Sequence, residues 1–176
     1  NELGKWLPNA RILNLYGATE CSSNAAFHEI NSVPVSGSEV PIGKPIPGNS
    51  LRIVSKNGVP AADGVGELHV SGPCVALGYI GGEVISAAIS GHGPEREFRT
   101  GDLARYDEWG NVLLCGRRDN TILHNGYSVI PEELEHTISA LPGVDAVAVG
   151  HGERVTGPST LCALLEVVAG TDLSLI

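Results

Sequence analysis

The sequence contains no methionine, has only 5% aromatic residues and carries few basic side chains. Because it begins at Asn1 and lacks methionine, we expect it to be an internal fragment of a longer protein. Eleven lysines and arginines stand against twenty aspartates and glutamates, which gives a net charge of -9. This balance provides no basic surface for nucleic acid or an anionic membrane. Any anionic ligand must therefore be held by local groups or by a metal ion.

Long apolar runs and paired cysteines are also missing. The longest apolar candidate, residues 161–169, is interrupted by Glu166, whereas a membrane-spanning helix needs about 18 apolar residues. The four cysteines form no CxxC pair, which argues against a zinc site or a disulfide scaffold. We interpret them as small core residues in a reducing compartment. The sequence thus predicts a soluble, cytoplasmic protein without a membrane span.

What is present is an ordinary globular composition rich in turn-forming residues. Hydrophobic residues make up 42% of the chain and charged residues 18%, and the mean hydropathy is +0.08. The 23 glycines and 11 prolines separate short apolar runs, which is typical of a strand-rich fold. Strands are predicted at residues 11–15, 51–54, 67–70 and 111–115, and a short helix around residues 84–89.

The pattern changes near Arg118. Residues 121–129 predict a hairpin with Asn125-Gly126 at its turn, the pair that a type I′ turn prefers. A helix is expected to begin at Pro131 and to stop before Pro142-Gly143. Buried strands are predicted at residues 144–149 and 161–168. We therefore predict a strand-rich α+β fold with a boundary near Arg118, after which a small α+β subdomain begins.

Residues 14–20, Asn-Leu-Tyr-Gly-Ala-Thr-Glu, are the first cluster that suggests chemistry. They follow a predicted strand and offer an aromatic face, a glycine for close backbone approach, a hydroxyl and a carboxylate. This combination suits a nucleotide with magnesium. The alternative is a strand that ends in a glycine turn, with Thr19 or Glu20 capping the next segment.

Two further clusters lie downstream. Asp102, in the sequence Phe-Arg-Thr-Gly-Asp at residues 98–102, could accept the two hydroxyls of a ribose from a tight turn, or could simply form that turn. Residues 116–119, Gly-Arg-Arg-Asp, combine an arginine suited to a phosphoryl oxygen with a carboxylate where the chain passes between two folding units. A solvated charged linker is the alternative for this second cluster.

In this order the clusters resemble the motifs of the adenylate-forming superfamily, which contains nonribosomal-peptide adenylation domains, acyl-CoA synthetases and luciferases. Residues 14–20 resemble its adenine and magnesium motif, and residues 66–79 (Gly-Glu-Leu-His-Val-Ser-Gly-Pro-Cys-Val-Ala-Leu-Gly-Tyr) its next structural motif. Residues 98–102 resemble its ribose motif. The segments 116–119, 125–127 and 131–135 resemble its hinge and the start of its mobile C-terminal subdomain. The resemblance implies that residues 1–118 are the C-terminal part of the large AMP-binding domain and that residues 119–176 are part of the small subdomain.

The resemblance implies a role for each matching residue. Tyr16 would stack on adenine, Asn14 would bond the adenine edge, and Gly17 would let the backbone approach the nucleotide. Thr19 would contact phosphate, Glu20 would hold magnesium, Asp102 would bind the ribose hydroxyls, and Arg117 would contact ribose or phosphate. Asp119 would be the hinge and Gly126 would line the thiol channel. Pocket positions of amino-acid-activating relatives match Leu15, Ser23 and Asn24, and the implied catalytic set is Thr19, Glu20 and Arg117.

The implied reaction joins a carboxylic or amino acid to AMP from ATP, with release of pyrophosphate. A pantetheine thiol of a carrier protein, or CoA, then takes the acyl group. The glycine-rich phosphate loop and the catalytic lysine are expected outside this sequence, so the fragment alone is expected to be inactive. Leu123 and Leu114 stand where relatives commonly carry a lysine and an aromatic residue. They are the best support for the alternative, a noncatalytic nucleotide-binding or scaffold homologue of the same fold.

Overall fold

The computed structural model describes residues 9–31, 39–59, 61, 64–79, 88–124, 127–152 and 160–169. The chain divides into two compact units, of which the first runs up to Leu114 and the second starts at Cys115. Strands dominate both units, and the second also contains an α-helix. The predicted strand-rich α+β class is therefore confirmed.

The first unit is built from two antiparallel sheets. The strands are β1 Leu13–Tyr16, β2 Ala26–Glu29, β3 Lys44–Pro45, β4 Ser50–Val54, β5 Gly66–Ser71, β6 Ile89–Ser90, β7 Glu97–Tyr106 and β8 Val112–Arg117, the last of which continues into the second unit. One sheet has the strand order β1-β2-β3, and the other has the order β4-β5-β7-β6, with β8 also paired to β7. The four predicted strands coincide with β1, β4, β5 and β8, with ends that differ by one or two residues.

The helix predicted around residues 84–89 is wrong where the structure describes it. Ile89 lies in β6 and pairs with Phe98 of β7 in antiparallel register. Residues 84–87 of that prediction lie outside the described residues. Pairing with β7 places Ile89 in a strand, and such pairing is not visible in the spacing of a short apolar run.

Two buried clusters form the core of the first unit. One consists of Cys21, Ala25, Val70, Val75 and Phe98, and the other of Ile42, Ile53, Leu68, Ala104 and Val112. Tyr16 is partly buried and packs against both clusters. Burial also raises the pKa of the Cys21 thiol to about 12, with a further contribution from neighbouring Cys74, so Cys21 is a protonated core residue.

The second unit contains a hairpin, a helix and a second hairpin. Their bounds are β9 Ile122–His124, β10 Tyr127–Val129, α1 Pro131–Ser139, β11 Val144–Gly152 and β12 Thr160–Val167. His124 pairs with Tyr127, which confirms the first predicted hairpin, although Asn125 and Gly126 lie outside the described residues. The predicted helix is confirmed as α1, whose Glu135 carboxylate accepts a hydrogen bond of 2.8 Å from the Val149 amide of β11.

The two strands predicted at residues 144–149 and 161–168 are present as β11 and β12, which pair with each other, but the expectation that both are buried is wrong. Leu164 in the middle of β12 is 78% exposed. Apolar composition alone does not distinguish a strand covered on both faces from one covered on a single face. Among the described residues, no helix has the length and apolar character needed to span a membrane.

Candidate nucleotide site

The first part of the site is the turn that joins β1 to β2. Tyr16 is the last residue of β1, and its carbonyl accepts a hydrogen bond of 2.7 Å from the Ala25 amide. Between them lies a single 3₁₀ turn, Thr19–Cys21. A Cβ atom on Gly17 would lie 2.1 Å from the Ser23 carbonyl oxygen, so only glycine fits there without moving the backbone. The close packing of this loop determines where Thr19 and Glu20 lie.

Tyr16 and Asp102 meet directly although 86 residues separate them in sequence. The Tyr16 hydroxyl donates a hydrogen bond of 2.5 Å to Asp102 Oδ2. Burial, followed by the bond to the Asp102 carboxylate, raises the pKa of Tyr16 well above its usual value. Tyr16 therefore remains a protonated donor, and its hydroxyl holds the carboxylate in one orientation.

An irregularity in β7 brings Asp102 to Tyr16. The register between β5 and β7 shifts between Glu67 and His69, because Glu67 pairs with Leu103 whereas His69 pairs with Arg99. The additional β7 residues form a bulge, and such bulges re-aim side chains next to functional sites. Asp102 therefore lies within the strand β7, which corrects the expectation of a tight turn at this position.

Thr100 fixes this bulge and was not recognised from the sequence as a site residue. Its buried hydroxyl donates a 2.8 Å hydrogen bond to the Leu68 carbonyl and accepts one of 3.0 Å from the Asp102 amide. The same hydroxyl lies close to the Tyr16 side chain. Its place two residues before Asp102 in the quoted motif was the only available signal.

Glu20 is the second carboxylate of the site. It is partly buried, Thr19 beside it is exposed, and its Oε1 accepts a hydrogen bond from the Tyr79 hydroxyl. Tyr79 is the second contributor that sequence reasoning missed. The signal available was its position at the end of the quoted motif of residues 66–79, which gave no indication of a contact with Glu20.

The other predicted site residues of β1 lie on opposite faces of the strand, because side chains alternate along it. Asn14 and Tyr16 are partly buried on one face of the strand, whereas Leu15 is 52% exposed on the opposite face. The Asn14 amide nitrogen donates a hydrogen bond of 2.8 Å to the Pro41 carbonyl, so its carbonyl oxygen is the group it can offer to a ligand. Ser23 and Asn24 are both exposed, and Ser23 has a left-handed backbone with φ of 79°.

Comparison with known proteins identifies the family of this arrangement. Residues 1–80 match the family described as AMP-binding enzyme. Phenyloxazoline synthase MbtB from Mycobacterium tuberculosis is 39% identical over 146 residues, which cover 80% of this chain and 10% of MbtB. The chain belongs to the adenylate-forming, AMP-binding superfamily.

Two solved structures of similar proteins extend the match over both units. Klebsiella oxytoca NpsA in complex with 3-hydroxyanthranilyl-AMSN is 27% identical with a TM-score of 0.78, covering 94% of this chain and 35% of NpsA. ATP-bound MatB from Rhodopseudomonas palustris is 29% identical with a TM-score of 0.73, covering 92% of this chain and 31% of MatB. The chain thus spans about a tenth of MbtB and about a third of each solved structure.

Magnesium is implied by the superfamily, and Glu20 is suited to it. Mg²⁺ prefers oxygen ligands and is commonly bound by one or two carboxylates together with substrate phosphates. Within the described ranges, no group of three or more His, Cys, Asp and Glu side chains could hold a metal ion. A cation held at Glu20 would therefore complete its coordination with nucleotide oxygens and water.

The residues that match the superfamily's hinge lie in the second unit. Arg117 Nη2 donates a hydrogen bond of 3.0 Å to Asp119 Oδ2, and both side chains are exposed. Asp119 belongs to the 3₁₀ turn Arg118–Asn120 that follows β8. The roles of Arg117 and Asp119 remain predictions, and Gly126 lies outside the described residues.

Proposed function

We propose that this chain is part of an ATP-dependent ligase that activates a carboxylic or amino acid as an acyl-adenylate. The observation that carries the proposal is the direct contact between Tyr16 and Asp102, which joins the motif resembling an adenine site to the motif resembling a ribose site. Adenine and ribose of one nucleotide are covalently linked, so their recognition groups must lie side by side. Membership in the AMP-binding superfamily supports the same conclusion.

The proposed roles of the residues in the first unit follow from their chemistry. The Tyr16 ring stacks on adenine, and the Asn14 carbonyl oxygen accepts from the adenine edge. Asp102 accepts from the ribose hydroxyls while the Tyr16 hydroxyl keeps its carboxylate in place. Thr19 donates to a phosphate oxygen, and Glu20 holds the magnesium ion. Leu15, Ser23 and Asn24 contribute to the acid pocket.

The first reaction is substitution at the α-phosphorus of ATP. A carboxylate oxygen of the acid forms a bond to that phosphorus while the bond to the β-phosphate oxygen breaks, and pyrophosphate leaves. Bound magnesium would neutralise charge on the phosphates, which is the main requirement of phosphoryl transfer. The protein contributes mainly by positioning the reactants, with Arg117 as a further phosphate or ribose contact.

The second reaction passes the acyl group to a thiol. The sulfur of a pantetheine arm, on a carrier protein or CoA, attacks the acyl carbonyl, loses its proton and displaces AMP. We assign Asp119 to the hinge between the two conformations and Gly126 to the channel that admits the arm. The similarity to biosynthetic synthases supports an enzyme over the noncatalytic alternative.

Pyrophosphate exchange in the full-length protein tests the proposal. With a panel of carboxylic and amino acids, at least one acid should drive exchange of label between pyrophosphate and ATP. Glu20→Ala and Asp102→Ala should each lower the exchange rate by roughly 100-fold, because Glu20 is proposed to hold the magnesium ion that neutralises the phosphates and Asp102 to position the nucleotide through its ribose. Glu29→Ala is the matched control, because Glu29 is a β2 carboxylate in an exposed pair with Arg11. Undiminished exchange in both site variants would refute the assignments.

A further inference from the structure

A second chain segment supports the Thr19–Cys21 turn from outside the 14–20 motif. The Ala76 amide donates a hydrogen bond of 2.8 Å to the Glu20 carbonyl. Val75, next to it, is 1% exposed and belongs to the same buried cluster as Cys21. The backbone of Glu20 is therefore fixed by the segment that continues from β5, independently of its side chain.

Tyr79 ends this segment and contacts the Glu20 side chain. Its ring is 51% exposed, so it contributes little to the buried core, yet its hydroxyl donates a hydrogen bond to Glu20 Oε1. A hydrogen bond from a hydroxyl to a carboxylate is short and charge-assisted, which makes it stronger than a bond between neutral groups. The contact therefore restricts a side chain with several rotatable bonds to one orientation.

We propose that Tyr79 is a positioning residue for the metal-binding carboxylate. By holding Oε1, it presents Oε2 of Glu20 to the cation that accompanies the nucleotide. Groups that hydrogen-bond a metal-ligating carboxylate orient it and commonly influence metal affinity. This inference rests on the proposed function, since the cation enters with ATP. It assigns to Tyr79 a role that the sequence motif alone does not specify.

The test measures binding and does not need the acid substrate. In the full-length protein, ATP affinity is determined by calorimetry over a series of Mg²⁺ concentrations, and Mn²⁺ with ATP is followed by electron paramagnetic resonance. Tyr79→Phe removes only the hydroxyl. The loss of one hydrogen bond should raise the Mg²⁺ concentration needed for half-maximal ATP binding roughly 3- to 10-fold. ATP affinity at saturating Mg²⁺ should stay within about twofold of wild type, because the nucleotide contacts remain.

Two controls separate positioning from general support of the turn. Ser22→Ala removes a bond of 3.0 Å to the Cys74 carbonyl, which joins the same two segments without touching the Glu20 carboxylate. It should leave the Mg²⁺ dependence unchanged. In a Glu20→Ala background, Tyr79→Phe should have no further effect, since the carboxylate through which it acts is gone.

The outcomes distinguish the inference from the proposed function. If the wild-type protein binds ATP with Mg²⁺ but Tyr79→Phe shows the same dependence of ATP binding on Mg²⁺ concentration, only the positioning role is overturned. An equal shift in Tyr79→Phe and Ser22→Ala also overturns it, because the segment would then act only as a structural support. If the wild-type protein does not bind ATP with Mg²⁺, the proposed function fails, and the inference fails with it.

Discussion

Tyr16 serves the fold and the proposed site at the same time. Its ring packs against both buried clusters of the first unit, and its hydroxyl donates to Asp102. Mutation can separate these two roles, because replacing Tyr16 by phenylalanine keeps the ring and removes the hydroxyl. The proposed stacking on adenine requires the ring, whereas the orientation of Asp102 requires the hydroxyl.

A double-mutant cycle measures the Tyr16–Asp102 contact. Tyr16→Phe and Asp102→Ala should each weaken ATP binding to the full-length protein, and the double variant should lose less than the sum of the two. The expected coupling is about 0.5–1.5 kcal/mol, the range of a single hydrogen bond between neighbouring residues. Calorimetric titration with ATP in the presence of Mg²⁺ gives the four affinities.

Tyr106→Phe provides the matched control for this cycle. Tyr106 lies in the same strand as Asp102, and its hydroxyl lies 3.5 Å from the Leu51 carbonyl oxygen, a long hydrogen bond. Its effect on ATP binding should be small and additive with Asp102→Ala. Additivity of Tyr16→Phe with Asp102→Ala would contradict a functional contact between them.

At the scale of elements, the strands and the helix were largely predictable, because each is determined by local patterns. Pro131 at the start of α1 and the alternating residues of β5 are examples. The bulge in β7 was not predictable, because it depends on pairing between strands that lie far apart in sequence. The contact of Tyr79 with Glu20 was missed for the same reason, since 59 residues separate the two.

Glu97 joins three strands of the larger sheet. It begins β7, its carboxylate accepts a hydrogen bond of 2.7 Å from Arg52 of β4, and its Oε1 lies 2.9 Å from His69 Nδ1 of β5. Burial acts to raise the pKa of Glu97, but the bonds from His69 and Arg52 outweigh it, so the pKa lies below its usual value. The ionised carboxylate therefore stabilises the sheet.

The lowered pKa of Glu97 determines how its contribution to stability depends on pH. A carboxylate with a lowered pKa stabilises the fold above its ordinary value of 4.5, and this contribution is lost as the pH falls through the folded-state pKa. We expect Glu97→Gln to lower the free energy of unfolding by about 1 kcal/mol at pH 7. The difference from wild type should shrink below about pH 4.

Thermal unfolding of the full-length protein between pH 3.5 and 7 checks this expectation. Glu29→Gln is the control, because Glu29 also pairs with an arginine, Arg11, but in an ion pair on the surface, where the Arg11 side chain is 73% exposed. It should change the unfolding temperature little at any pH. A Glu97→Gln effect that stays constant from pH 7 to 3.5 would show that the lost contribution does not depend on ionisation.

For the whole molecule, the two units correspond to two proposed reactions. Adenylation is assigned mainly to residues of the first unit, with Arg117 of the second unit as a further contact, and thiol transfer is assigned to the β9–β10 hairpin of the second unit. β9 ends at His124 and β10 starts at Tyr127, and these two residues pair with each other, so Asn125 and Gly126 must connect them. A glycine at the second position of such a turn tolerates positive φ and presents no side chain.

Replacing Gly126 should separate the two reactions. Gly126→Leu and Gly126→Ala both add a Cβ atom and differ in side-chain size, so a difference between them reports side-chain bulk in the proposed thiol channel. We expect Gly126→Leu to lower the transfer of the acyl group to a pantetheine thiol by roughly tenfold or more relative to Gly126→Ala. Pyrophosphate exchange, which precedes entry of the thiol, should stay within about twofold of wild type in both. If exchange and transfer fall together, the hairpin contributes to the first reaction as well, and its assignment to the thiol channel is wrong.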